Sequence, residues 1–215
     1  FSIELIALFG AAQKAGFVLV PINTRLTPRE VAYQIEDSAA KIVIAEADFS
    51  DKLSETDLTS ISFSDLEGEA NQYENEVEED DPIFILYTSG TTGFPKGAIY
   101  THKMLFWNSE NTALRLDLTS NDVTLNCMPA FHTGGWNVLI TPLLHRGGTI
   151  WLQNDFEPEV VLKKLEQSGS TIFMAVPTML KMMADAKAFS EVNLELIRYF
   201  IVGGEALPIP MIELW

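Results

Sequence analysis

Between residues 123 and 202 short apolar runs alternate with helix-like stretches, and that alternation limits the chain to one class of fold. Strand-like segments fall near 123–128 and at 149–152, 171–176 and 198–202. Helical stretches follow Gly135 and occupy 158–167 and 177–184. Two of these open on a proline, Pro158 and Pro177, and one closes at Gly169. Proline is accepted where a helix has no N–H to satisfy, and glycine where it must stop. Strands separated by helices predict an α/β fold of largely parallel sheets flanked by helices.

The first 120 residues fit the same plan less regularly. A helix is expected over 3–15, stopped by Gly16, and then a short apolar strand over 17–22. Thr27-Pro28-Arg29-Glu30 is a helix start in which Thr27 caps, Pro28 takes the first position and Glu30 reaches back. A buried strand is expected at 41–45, another at 82–87, and a helix at 102–114. Residues 48–81 differ in character. They are acidic and polar, with six acids in the eight residues 74–81, and read as a variable solvated connection.

The chemistry concentrates directly after the apolar run Pro-Ile-Phe-Ile-Leu-Tyr. There the chain reads Tyr87-Thr88-Ser89-Gly90-Thr91-Thr92-Gly93-Phe94-Pro95-Lys96-Gly97. Three glycines let the backbone turn tightly and bring its N–H groups close to an anion. Thr88, Ser89, Thr91 and Thr92 offer hydroxyls for phosphate oxygens or a hard metal ion, and Lys96 adds a mobile positive charge. The loop suits a polyphosphate. It is not a Walker-type P-loop, because Pro95 stands where the second glycine belongs and Gly97 follows the lysine in place of Ser or Thr. A phosphotransferase of that kind is disfavoured accordingly.

Two later segments accompany it: Pro129-Ala130-Phe131-His132-Thr133-Gly134-Gly135-Trp136, and Gly203-Gly204-Glu205-Ala206-Leu207-Pro208. Together the three segments resemble the adenylate-forming (AMP-binding) superfamily, of the acyl-CoA synthetase or fatty-acid–CoA ligase type. The resemblance extends over the whole chain and implies part of the N-terminal domain of an acyl-CoA synthetase-like fold.

It also implies roles. Thr88, Ser89, Gly90, Thr91, Thr92, Gly93 and Lys96 would hold the ATP phosphates, with Thr88 helping to place Mg2+. His132 would act on the carboxylate being activated and, with Gly135 and Trp136, would line the acyl pocket. Trp136 suits core packing equally well. Gly203, Gly204 and Glu205 would border the adenine and the acyl group. Lys96 and His132 are the expected catalytic residues.

The implied reaction joins a small carboxylic acid, expected to be a fatty acid, to CoA at the expense of ATP. AMP and pyrophosphate are released. Aryl-CoA ligases and amino-acid adenylation domains share these motifs, and a non-catalytic scaffold of the same fold is a further alternative. The family's later magnesium-binding glutamate, ribose-binding aspartate and C-terminal domain do not occur before Trp215. Residues 1–215 are therefore expected to be an incomplete N-terminal domain lacking the C-terminal domain and inactive alone.

Composition sets the remaining bounds. Thirty acidic against 14 basic residues give a net charge of −16, which argues against a nucleic-acid surface. Cys127 is the only cysteine, so no internal disulfide forms, and a cytoplasmic location is expected. A lone cysteine can be a nucleophile, but more often packs as a small hydrophobe. No apolar run reaches the ~18 residues of a membrane span. His102 and His145 fit structural positions. Uncovered apolar surface would favour a homodimer.

Overall fold

The computed structural model describes residues 1–66, 76–88 and 93–215. The chain forms two compact units. One comprises Ile3–Leu105 with Ala130–His132, and the other Phe1–Ser2, Phe106–Pro129 and Thr133–Trp215.

The N-terminal unit opens with helix α1 (Ile3–Ala15), which ends at Gly16 as its sequence requires. Helix α2 (Pro28–Asp37) carries the expected capping box. The Glu30 N–H donates to Thr27 Oγ1 at 3.4 Å, and the Thr27 N–H donates to Glu30 Oε2 at 2.8 Å. Val31 and Ile35 of α2 bury against Val43. Strand β1 (Val43–Ile44) pairs in parallel with β2 (Ser60–Ile61), which lies inside the segment expected to be a solvated connection. Short 3-10 turns at Ala47–Leu53 and Phe63–Asp65 flank β2. Residues 67–75 of that segment lie outside the described residues.

Strand β3 (Pro82–Thr88) is the apolar run, with Ile83, Phe84 and Leu86 buried. It pairs antiparallel with β4 (Lys96–Thr101). Helix α3 (His102–Leu116) starts in this unit and continues into the next. The expected strand at 17–22 reduces to a single bridge, in which Leu19 exchanges hydrogen bonds with the backbone of Ile83 and Ile85.

The C-terminal unit holds a four-stranded parallel sheet in the order β6-β5-β7-β8: β5 (Val123–Asn126), β6 (Thr149–Leu152), β7 (Ile172–Ala175) and β8 (Tyr199–Val202). Between the strands run α4 (Thr133–Asn137), α5 (Ile140–Arg146), α6 (Pro158–Gln167) and α7 (Pro177–Ala184). Helix α8 (Ile209–Leu214) follows β8. Leu125, Phe173 and Ala175 of the sheet pack on Val161, Leu162 and Leu165 of α6 and on Leu180 and Met183 of α7. Parallel strands must be covered in this way, because each is joined to the next by a crossover. Cys127 is buried in this core, and burial pushes its thiol up to about 12. It is a packing residue and carries no thiolate at neutral pH.

One buried carboxylate registers three strands. Asp122 Oδ1 accepts from Arg198 at 2.7 Å and from the Thr171 hydroxyl at 2.7 Å, while Oδ2 accepts from the Thr119 N–H at 2.8 Å. Burial alone would raise this carboxyl's pKa. Hydrogen bonds from Arg198, Thr119 and Thr171, with the Arg198 charge, outweigh burial and hold it below the ordinary aspartate value. The stability it adds is therefore present above the unfolded value and lost as pH falls through the folded one. Asp122→Asn is expected to fall less steeply in melting temperature than wild type between about pH 5 and pH 2. Parallel melting curves of the two proteins over that range would refute this role.

Among the described residues no helix is long and apolar enough to cross a membrane. No group of three or more His, Cys, Asp or Glu among them is placed to hold a metal ion.

Candidate functional site

The Gly-rich loop is the connection of the β3–β4 hairpin. Among the described residues Thr88 and Lys96 are the last pair before the loop, directly opposite each other, and both are exposed. Residues opposite one another on antiparallel strands project from the same face, so hydroxyl and ammonium can meet one ligand. Ser89, Gly90, Thr91 and Thr92 lie outside the described residues. Gly93 follows at φ +102°, a conformation that L side chains resist.

The loop's two stems are tied to α2. The Tyr87 hydroxyl donates to Asp37 Oδ2 at 2.6 Å, with Gln34 O at 3.4 Å as a second acceptor. The Tyr33 hydroxyl donates to the Pro95 carbonyl at 3.1 Å, and the Tyr33 ring lies 5.4 Å from that of Phe94. Burial, and then the hydrogen bond to Asp37, raise the Tyr87 phenol well above its ordinary value. It is thus a fixed donor at any physiological pH. Gly97, opposite Tyr87, leaves room for that ring, since a Cβ there would lie 3.3 Å from Tyr87 Cζ and 2.6 Å from Ile85 Cγ2.

His132 belongs to the same unit, is exposed, and has its ring 4.7 Å from that of Phe131. Of the other two histidines, His102 is half-buried and His145 is exposed beside an aromatic ring. Partial burial lowers the pKa of both His102 and His145, and the His145 ring lies 6.2 Å from Phe106.

The C-terminal unit carries the remaining residues expected at the site. Pro129 and Thr133–Trp136 follow the carboxyl end of β5, and Gly203–Glu205 follow the carboxyl end of β8. In open parallel sheets that edge is where ligands bind. The two segments converge on Met174 of β7. A Cβ on Gly134 would lie 3.1 Å from Met174 Cε, and one on Gly203 3.9 Å from the same atom. The Gly203 N–H donates to Ala175 O at 3.4 Å, and Gly204 turns the chain at φ +88°. Gly204 and Glu205 are exposed.

Trp136 is fully buried, edge-on to Phe1 at 4.7 Å between ring centroids. The Thr141 hydroxyl donates to its carbonyl at 3.2 Å. Asn137 Nδ2 donates to Thr133 Oγ1 at 2.8 Å, which closes the single turn of α4.

Gly135 admits no side chain. A Cβ would stand 2.2 Å from the Pro129 carbonyl oxygen and 3.1 Å from the Phe1 ring. Backbone cannot yield as a side chain can, so Gly135→Ala is expected to cost about 1–3 kcal/mol in urea unfolding. A loss under about 0.5 kcal/mol, the scatter of an inert surface change, would contradict that.

The loop and both later segments stand out in the sequence, whereas Tyr33, Asp37 and Met174, which pack against them, do not. A tyrosine and an aspartate four apart on one helix face, or a methionine in an apolar strand, carry no local mark of a site.

The family described as AMP-binding enzyme matches residues 2–215. A feruloyl-CoA synthase of Amycolatopsis sp is 33% identical over 94% of the chain and 42% of its own length. The long-chain-fatty-acid–CoA ligase FadD13 of Mycobacterium tuberculosis is 32% identical over 100% of the chain and 45% of its own length. The chain thus spans less than half of these relatives. Among solved structures, the inhibitor-bound N-terminal domain of FACL13 from Mycobacterium tuberculosis superposes with a TM-score of 0.92 at 32% identity, over 100% of the chain and 57% of that domain. The O-succinylbenzoate CoA synthetase MenE of Bacillus subtilis, in complex with ATP and magnesium ion, gives 0.87 at 29% identity, over 100% of the chain and 45% of its own.

Proposed function

The chain belongs to the AMP-binding enzyme family, and from that premise we propose that it supplies the nucleotide- and acid-binding part of an AMP-forming acid–thiol ligase. The observation that carries the reading is the hairpin itself. Thr88 and Lys96 project from one face at the two ends of a loop rich in hydroxyls and glycine. Such a loop meets a polyphosphate with N–H groups, hydroxyls and one ammonium together.

In the proposed reaction a carboxylate oxygen attacks the α-phosphorus of ATP, and the bond to pyrophosphate breaks. The sulfur of CoA then attacks the acyl carbon, and AMP leaves. Lys96 neutralises charge on the β- and γ-phosphates as pyrophosphate departs. A magnesium ion, held in part by the Thr88 hydroxyl, would supply further neutralisation. His132 donates to the carboxylate being activated, and Gly203, Gly204 and Glu205 border the adenine.

The acid is a fatty acid in this reading, which the match to FadD13 and the His-Thr-Gly-Gly-Trp segment support. An aromatic acid is the second reading, favoured by the feruloyl-CoA synthase match. The test is acid-dependent ATP–pyrophosphate exchange in the full-length protein carrying this chain, across acetate, medium- and long-chain fatty acids, benzoates, cinnamates and amino acids. Exchange with one fatty-acid class is the expected result. Exchange only with aromatic acids replaces the substrate, and no exchange by a folded protein that binds Mg-ATP overturns the ligase reading.

A further inference from the structure

We propose that α2 is a positioning clamp for the Gly-rich loop, with Tyr33 and the Tyr87–Asp37 pair fixing its two stems so that Thr88 and Lys96 hold one geometry toward Mg-ATP. The inference deepens the nucleotide-binding reading and rests on it.

Thr88↔Lys96 is the last pair of the ladder among the described residues, and the residue before Lys96 is Pro95, which has no N–H to donate. The two points that α2 grips are Tyr87, one residue before Thr88, and Pro95, one residue before Lys96. Each grip therefore sits beside a residue proposed to meet the phosphates.

Both grips come from one face of one helix. Tyr33 and Asp37 are four residues apart, so they stand on neighbouring turns of α2. The helix is a fixed support, closed at its start by the Thr27–Glu30 capping box and seated by Val31 and Ile35. The polarity of the two bonds also fits a clamp. In both a tyrosine hydroxyl is the donor, once from α2, where Tyr33 donates to the Pro95 carbonyl of one stem, and once from the other stem, where Tyr87 donates to the Asp37 carboxylate of α2, so helix and stems are joined in both directions. The Tyr33 ring adds a contact to Phe94 that outlasts loss of its hydroxyl. Removing that hydroxyl therefore loosens the stem without leaving a hole.

Tyr33→Phe, Tyr87→Phe, Asp37→Ala and Asp37→Asn in the full-length protein test the clamp, by two readouts. The first is amide hydrogen exchange of the segment spanning 88–96 without nucleotide, together with the melting temperature. The second is the Kd for Mg-ATP. Each Phe variant is expected to speed exchange in this segment and to raise the Kd roughly three- to tenfold, the worth of one hydrogen bond, at a nearly unchanged melting temperature. Asp37→Ala should match Tyr87→Phe, and Asp37→Asn, which keeps an acceptor oxygen, should restore near-wild-type values. Unchanged exchange in the Phe variants overturns the clamp. Faster exchange with an unchanged Kd overturns its role toward the nucleotide. A wild-type protein that binds no Mg-ATP sinks the functional reading instead, and the exchange measurement then decides the clamp alone.

Discussion

Lys96→Ala is expected to lower acid-dependent ATP–pyrophosphate exchange by about 10²–10³-fold, the loss usual when one preorganised charge or donor is taken from a developing anion. Stability should move by less than about 0.5 kcal/mol, as for other surface changes. Lys96 is exposed, and none of the salt bridges among the described residues uses it. Lys96→Arg should recover only part of the rate, because the guanidinium restores charge but not the compact ammonium. Initial-rate exchange assays at saturating ATP, paired with thermal melts, check this. Exchange within threefold of wild type in Lys96→Ala would remove the loop from the mechanism.

Trp136→Ala is expected to cost about 3–5 kcal/mol in chemical denaturation of the full-length protein, the range for a large aromatic side chain cut from a core. Trp136 is the largest of the fully buried side chains. Its ring meets Phe1 edge-on, and its backbone is fixed by Thr141. Gly135 beside it leaves no space for the segment to shift, since the Pro129 carbonyl closes the position a Cβ would take. The same residue was expected to line an acyl pocket, and the two roles separate by experiment. Packing predicts a large stability loss with the order of acid preference unchanged. A loss under about 1 kcal/mol, with preference moved toward longer or shorter acids, would make Trp136 a pocket wall and not a core residue.

Much of the local structure was legible because its causes are local. Gly16 ends α1, the Thr27–Glu30 box starts α2, and Pro158 and Pro177 start α6 and α7 at the residues read from the sequence. The strand at 149–152 also falls where its apolar run lies. Parallel order followed from alternation, since a crossover helix leaves few other ways to pair successive strands. Reading the segment at 17–22 as a strand failed because an apolar run states only that a segment is buried. Its hydrogen-bond partners are set elsewhere, and only Leu19 found them. Strand β4 went unseen for the opposite reason. Lys96-Gly97-Ala98-Ile99-Tyr100-Thr101 has little apolar periodicity, and β3 alone makes it a strand.

The sequence by itself determined the ends of α1, α6 and α7, the start of α2, the α/β class and the chemical character of the Gly-rich loop, whereas α3 runs on to Leu116 and α4 begins at Thr133, ahead of Gly135. Caps, periodicity and the glycine–hydroxyl pattern all act over a few residues. Only the tertiary structure decided what holds those parts in register. Tyr33 meets Pro95 across 62 residues, and Arg198 meets Asp122 across 76. Gly134 and Gly203 come together on Met174 because two parallel strands end on the same side of a third. Such contacts join residues with no local mark of their pairing, and they form only when burial of the whole core has brought the strands and helices that carry them side by side.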